Sequence, residues 1–195
     1  MKKHGNIHFC GVGGQGILLA SELTAYALLA AGFDAKKSEV HGMAQRGGSV
    51  EAHLRYSTEK VYSPLIEPGK VDIMLAFEMM EAVRYLPLLN QKSTVIVNTQ
   101  KIPPPVVATG KALYPDHCLD ELASRGIKVV EVDGFAIARQ VGNLKTVNVA
   151  LVGALSRFLP VKEPVWSEVL EKRLPPKILE VNRMAFVEGR NAGKE

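Results

Sequence analysis

Cys10 and Cys118 are the only cysteines in this chain of 195 residues, and they stand far apart with no C-x-x-C pair. An ordinary iron–sulfur cluster takes four thiolates, so the chain alone supplies no such site and any cluster chemistry lies elsewhere. Cys10, at the end of an apolar stretch, reads as a small core residue before it reads as a reactive thiol. Long apolar runs are missing as well, and no uninterrupted stretch reaches the length that spans a bilayer. Met1-Lys2-Lys3 followed by apolar residues resembles the start of a signal peptide, but glycines from Gly11 onward break the apolar run and Glu22 sits in the segment that follows. The expected location is therefore cytoplasmic, with no membrane contact. Runs of basic charge are absent too: the net charge is +4 and the lysines and arginines are scattered, which argues against nucleic acid as a partner. With 47% hydrophobic and 23% charged residues the chain is an ordinary globular protein, long enough for one domain with a proper core.

What is present begins at Asn6. A short apolar strand runs into Gly11, Gly13 and Gly16, spaced G-x-G-x-x-G, and then into an apolar segment from Ile17 to Ala31 of helical length. Such a strand-turn-helix uses its first two glycines for a sharp turn and close ligand approach, and its third for tight helix packing. Free N–H groups at the helix start suit a phosphate. A strand that merely packs closely on its helix gives the same spacing, so both readings stand at this point.

Strands and helices then alternate. Ala35 to Val40 reads as a strand leading into the loop His41 to Gly48. From Ser49 to Tyr56 the period is two, with Val50, Ala52, Leu54 and Tyr56 on one side and Ser49, Glu51, His53 and Arg55 on a side expected to be solvated or to meet a partner. That alternation predicts an antiparallel edge strand in a mostly parallel sheet. Val71 to Phe77, Thr94 to Asn98 and Lys128 to Val132 are further strands, and Pro103 to Pro105 form an extended loop. Helices are predicted over 78–89, 116–124 and 134–141, then from an N-cap at Thr146 to Leu159, from Pro164, and from Pro176 to about Gly189. The 146–159 helix is apolar nearly all round, which predicts burial in the core or in an interface with another copy or a larger subunit. The fold class is α/β, a doubly wound Rossmann-like sheet over residues 1–160 with a C-terminal helical extension at 161–190 and a frayed tail at 191–195.

The stretch Gly-Val-Gly-Gly-Gln-Gly (11–16), followed by Ser38-Glu39-Val40-His41-Gly42-Met43-Ala44-Gln45-Arg46-Gly47-Gly48-Ser49-Val50, resembles the gamma-type subunit family of 2-oxoacid:ferredoxin oxidoreductases, on the indolepyruvate side. The similarity extends through Leu75-Ala76-Phe77-Glu78, Glu81-Ala82, Arg84-Tyr85, Asn148, Gly153-Ala154-Leu155, Asn182, Ala185-Phe186 and Gly189. The resemblance implies a division of labour. A larger alpha subunit carries thiamine diphosphate and iron–sulfur clusters, and the complex converts an aryl 2-oxoacid, coenzyme A and oxidised ferredoxin to the acyl-CoA, carbon dioxide and reduced ferredoxin. A chain with two unpaired cysteines fits the member that binds no cofactor by itself.

The candidate cofactor-binding residues are Gly11, Gly13, Gly14, Gln15, Gly16 and Arg46, and the candidate ligand or partner contacts are His41, Gln45, Gly47 and Gly48. Catalytic residues are not assigned, and no metal is expected. Arg46 suits a phosphate or carboxylate as well as it suits a salt bridge that pins its loop. His41 is a neutral-pH proton carrier or a simple hydrogen-bonding residue. Gln15 and Gln45 position a ligand or satisfy loop backbone. Glu39 sits where a dinucleotide enzyme places its ribose-binding acid. Asn148, on an apolar helix, is expected to hydrogen-bond backbone. Two other readings remain: a free-standing NAD(P)- or flavin-binding Rossmann protein, and an assembly module, homodimeric or not, whose glycine loop only packs.

Overall fold

A computed structural model describes residues 3–41 and 47–193, with His41 described in its backbone alone. The elements are, in order, β1 (His4–Val12), α1 (Ile17–Ala30), β2 (Asp34–His41), β3 (Ser49–Ser57), β4 (Ile73–Ala76), α2 (Met79–Arg84), β5 (Thr94–Asn98), α3 (Pro105–Ala108), α4 (Cys118–Ser124), β6 (Lys128–Val132), α5 (Gly134–Gln140), α6 (Val147–Ser156), α7 (Glu163–Arg173) and α8 (Pro176–Ala192). Single 3-10 turns occupy Leu86–Leu88 and Leu144–Thr146.

The six strands form one sheet in the order β2-β3-β1-β4-β5-β6. β1, β4, β5 and β6 are parallel, and β3 runs against both β1 and β2. The antiparallel strand read from the alternation of residues 49–56 is therefore real, but it does not lie at the edge. The edge belongs to β2, whose exposed Lys36 and Glu39 suit an unpaired strand margin. The polar face of β3 is not solvated either: His53 is 8% exposed, with its Nδ1 accepting the Ile66 N–H at 3.2 Å.

One face of the sheet packs Ile7, Phe9, Leu54, Leu75 and Ile96 against α1, α5, α6, α7 and α8. The other packs Cys10, Met74, Ala76, Val95 and Val97 against α2 and α4. α6 lies inside the first helical layer, and every residue from Asn148 to Ser156 is buried. Its all-round apolarity is satisfied within the chain, and Trp166 and Phe186 are 0% and 3% exposed. Of the two expectations for this helix, burial in the core is the one met, with α8 and not a partner closing over α6. Gly153 and Gly189 let the two backbones touch, so that a Cβ on either would fall within 2.1 Å of a carbonyl oxygen of the other helix. The C-terminal helices thus share the hydrophobic cluster of the sheet. α8 runs to Ala192, past the predicted fraying point, and Arg190 Nη1 donates to Ser156 Oγ at 2.6 Å.

Two local expectations also change. Thr146 stands at the N-cap position of α6, as expected, but its side chain makes no capping bond; its hydroxyl donates back to Asn143 O at 2.8 Å, and α6 grows directly from the preceding 3-10 turn. The Pro103–Pro105 loop is extended only through Pro104, since Pro105 opens the short α3, where its fixed φ and missing N–H are tolerated.

Candidate functional site

β1 sits where the strand order turns back, between antiparallel β3 and parallel β4, and a ligand crevice is expected at its carboxyl end. The glycine loop stands there. Gly11 still belongs to β1, where a Cβ would meet Phe77 Cβ at 2.7 Å and Gln15 Oε1 at 2.8 Å, so its role is packing and not the turn. The turn is made at Gly14 and Gly16, with φ of 104° and 81°, in the region that favours glycine. Gln15 holds the loop shut: its Oε1 accepts the Val12 N–H at 2.7 Å and its Nε2 donates to Phe77 O at 2.8 Å. Asn98 braces the same rim, donating to Phe77 O and accepting the Gly134 N–H, each at 3.0 Å.

The two loops singled out in the sequence do meet. Gly13 N–H donates to Gly48 O at 2.8 Å, and Gly47 N–H donates to Gly13 O at 3.3 Å. This ladder uses the Gly13 amide, and among the described residues Gly14, Gly16 and the first turn of α1 keep open donors. Gln45, Arg46 and the His41 side chain lie outside the described residues. A cleft of about 460 Å³ opens over Gly14, Gln15 and Gly16, walled by Gln100, Phe135, Leu144, Lys145, Val147 and Asn148. Among the described residues, no carboxylate lines it. Sequence reasoning missed Lys145, Gln100 and Phe135 because only the strand order brings β5, α5 and α6 to the loop. A second cleft of about 490 Å³ lies beside Val12, Gly47 and Ser49, with Arg84 paired to Glu81 at 2.9 Å on its floor.

On the α2 side of the sheet lies a polar cluster that the sequence did not reveal. His8 Nε2 lies 2.8 Å from Glu51 Oε2, and His53 Nε2 lies 3.5 Å from the same oxygen, with the Tyr85 ring 4.7 Å from that of His8. Its only signal was Glu51 and His53 on the polar face of a strand, and the register that sets His53 against His8 is non-local. The three side chains have the composition of a metal site, with donor atoms within 4.8 Å of one another. The tautomers oppose it. The Ile66 N–H points at His53 Nδ1, which needs that lone pair and puts the ring proton on Nε2, facing Glu51. The cluster is better described as one carboxylate clamped by two imidazole N–H groups.

Those hydrogen bonds, from His53 and then His8, pull the Glu51 carboxyl down to about 2, and burial lowers His8. Both shifts act in the same direction. A carboxylate with a depressed folded pKa contributes stability that is lost as pH falls from its ordinary range toward 2, and a histidine kept neutral by burial favours unfolding once its unfolded form protonates below about 6.5. Urea unfolding is thus expected to show stability falling steadily from pH 7 toward pH 3. Glu51→Gln should be less stable at pH 7, by on the order of 3 kcal/mol at most, with a shallower acid slope. Parallel acid slopes for variant and wild type would remove Glu51 from this account.

A mostly parallel sheet with helices on both faces and a glycine turn at its switch point defines an α/β fold. The chain belongs to the pyruvate ferredoxin/flavodoxin oxidoreductase family, whose model matches residues 6–192. It is 43% identical over 202 residues to the indolepyruvate oxidoreductase subunit IorB of Thermococcus kodakarensis, covering 100% of this chain and 98% of that one. The gamma subunit of a keto/oxoacid ferredoxin oxidoreductase from Geobacter sulfurreducens has the same fold, with a TM-score of 0.71, 22% identity and coverage of 97% and 98% of the two chains. A 2-oxoglutarate:ferredoxin oxidoreductase from Magnetococcus marinus, solved with 2-oxoglutarate, coenzyme A and succinyl-CoA bound, matches with a TM-score of 0.77 and 20% identity. There the fold covers 99% of this chain but 31% of the longer one. No helix among the described residues is long and apolar enough to cross a membrane.

Proposed function

We propose that this chain is the non-cluster subunit of a thiamine-dependent 2-oxoacid:ferredoxin oxidoreductase of the indolepyruvate type, inactive until joined to a larger subunit that carries thiamine diphosphate and iron–sulfur clusters. The observation that carries the reading is the 43% identity to an indolepyruvate oxidoreductase subunit along the full length of both chains. The thiols agree with it. Cys10 and Cys118 are both buried, and burial pushes both thiols up, so neither is disposed to ligate iron as a thiolate. Cluster chemistry and electron transfer to ferredoxin therefore belong to the partner. The chain's own contribution is the glycine-loop crevice, which suits a phosphate-bearing ligand; coenzyme A, the co-substrate of this reaction class, is one.

A free-standing dinucleotide enzyme fits less well. In that fold the ribose-binding acid ends the strand beside β1, but here β3 intervenes, so Glu39 stands one more strand spacing away, roughly 5 Å. Glu39 is moreover paired with Lys37.

Assembly is testable by co-expressing the chain with the thiamine- and cluster-bearing subunit and applying light scattering to the purified material. The expected result is a stable complex containing both chains, with the iron–sulfur absorption travelling with the larger one. A chain that never associates with that subunit, or that carries a cluster when purified alone, would contradict the reading.

A further inference from the structure

Asn148 is 7% exposed, and its Oδ1 accepts the Val149 N–H at 2.9 Å. Its Nδ2 has no acceptor among the described residues, although it lines the glycine-loop cleft so closely that a Cβ on Gly16 would lie 2.5 Å from it. The carboxamide is fixed at its oxygen end, so its Nδ2–H donors face the cleft ready for an acceptor there. Several backbone donors stand open around it, while the Gln15 and Gln100 Oε1 atoms are already engaged as acceptors. The amides of Gly14 and Gly16 and those of the first turn of α1 have no acceptor among the described residues. Val147 and Asn148, in the first turn of α6, line the same cleft. Lys145 adds an ammonium group with no ion pair and no lining carboxylate among the described residues. Phe135 and Leu144, the latter 52% exposed, supply an apolar wall beside these donors.

A set rich in open donors, with the start of α1 and one cation, complements an oxyanion of several charges. We propose that Asn148 and Lys145 bind a phosphate or diphosphate group of an organic ligand whose remaining part rests against Phe135 and Leu144. This assignment rests on reading the glycine-loop crevice as a ligand site. It adds two binding residues from outside the loop and gives Gly16 a second reason to be glycine, since any side chain there would displace the Asn148 amide.

Calorimetric titration of the full chain at low salt, with pyrophosphate, ADP and adenosine as probes, tests it. Pyrophosphate and ADP are expected to bind, and adenosine, which has the flat group without the phosphate, to bind far more weakly. Asn148→Asp should weaken both phosphate probes at least tenfold while melting at or above the wild-type temperature. It keeps the oxygen that accepts the Val149 N–H and places an acid in the first turn of α6, where the helix favours it. Lys145→Gln should weaken them severalfold and flatten the salt dependence. Equal binding of pyrophosphate by wild type and Asn148→Asp would overturn the role of Asn148. A wild-type chain that binds neither phosphate probe would overturn the phosphate assignment, while the subunit reading would still be decided by the light-scattering result.

Discussion

Gly189→Ala is expected to leave little or no folded protein. A Cβ at this position would lie 1.8 Å from Ala150 O and 2.5 Å from Ala150 C, separations at which backbone must move. Ala150 lies in α6, buried along its length between α8 and the rest of the core, so α6 cannot retreat without unpacking the layer. The alternative is for α8 to lift, exposing Phe186 and Ala185, which are now 3% and 0% exposed. Overpacking ordinarily costs about 1–3 kcal/mol, but that range describes methylenes forced among yielding side chains. Here two helix backbones are in contact, and a loss above about 5 kcal/mol is expected, comparable with the whole stability of a domain. Gly142→Ala is the control. Its φ of 84° makes alanine strained, but open space surrounds it, so a cost of only about 1–2 kcal/mol is expected. Circular dichroism melts of the two variants check the contrast, and a Gly189→Ala protein that melts within a few degrees of wild type would show that α6 and α8 do not meet as described.

That contact also marks how far the sequence could be read. Local patterns survived. The apolar strand running into the glycine turn and α1 is where the spacing placed it, and the alternation of residues 49–56 does mark an antiparallel strand. Pairing between distant segments did not survive as well. Nothing in the residues of β2 says that it pairs with β3 and not with β1, so β3 was given the edge that β2 occupies. The apolar surface of α6 was legible, but its cover was not, because the cover is α8 and the fit depends on two glycines that approach only in the folded chain. Asn148 shows the same limit in the site. An asparagine on an apolar helix had to bond something, and its Oδ1 does accept a backbone N–H, as expected. That its other end would face Gly16 follows only from α1 and α6 starting side by side. Of the predicted site residues, Gly14, Gln15 and Gly16 line the cleft, Gly13 joins Gly47 and Gly48, and Gly11 packs. Arg46, Gln45 and the His41 side chain fall outside the described residues.

The second large effect is on activity, and it is close to all-or-none. Oxidative decarboxylation of a 2-oxoacid needs a carbanion-stabilising cofactor and a path for electrons, and the organic and redox chemistry is the cofactors' own. Both thiols of this chain are buried and raised, and the cluster of His8, Glu51 and His53 is closed on itself by hydrogen bonds. Among the described residues, the groups lining the crevice are amides, carboxamides, apolar side chains and one ammonium, none of which accepts electrons. Removing it from the complex should therefore abolish turnover while leaving the partner's clusters intact, and adding it back should restore turnover.

The most direct measurement is reduction of ferredoxin by an aryl 2-oxoacid and coenzyme A, followed in four samples: this chain, the thiamine- and cluster-bearing subunit, the two reconstituted, and the reconstituted pair without coenzyme A. The account predicts sustained acyl-CoA formation and ferredoxin reduction only in the complete reconstituted sample. Turnover by this chain alone, or undiminished turnover by the larger subunit without it, would contradict its assignment as an obligatory subunit.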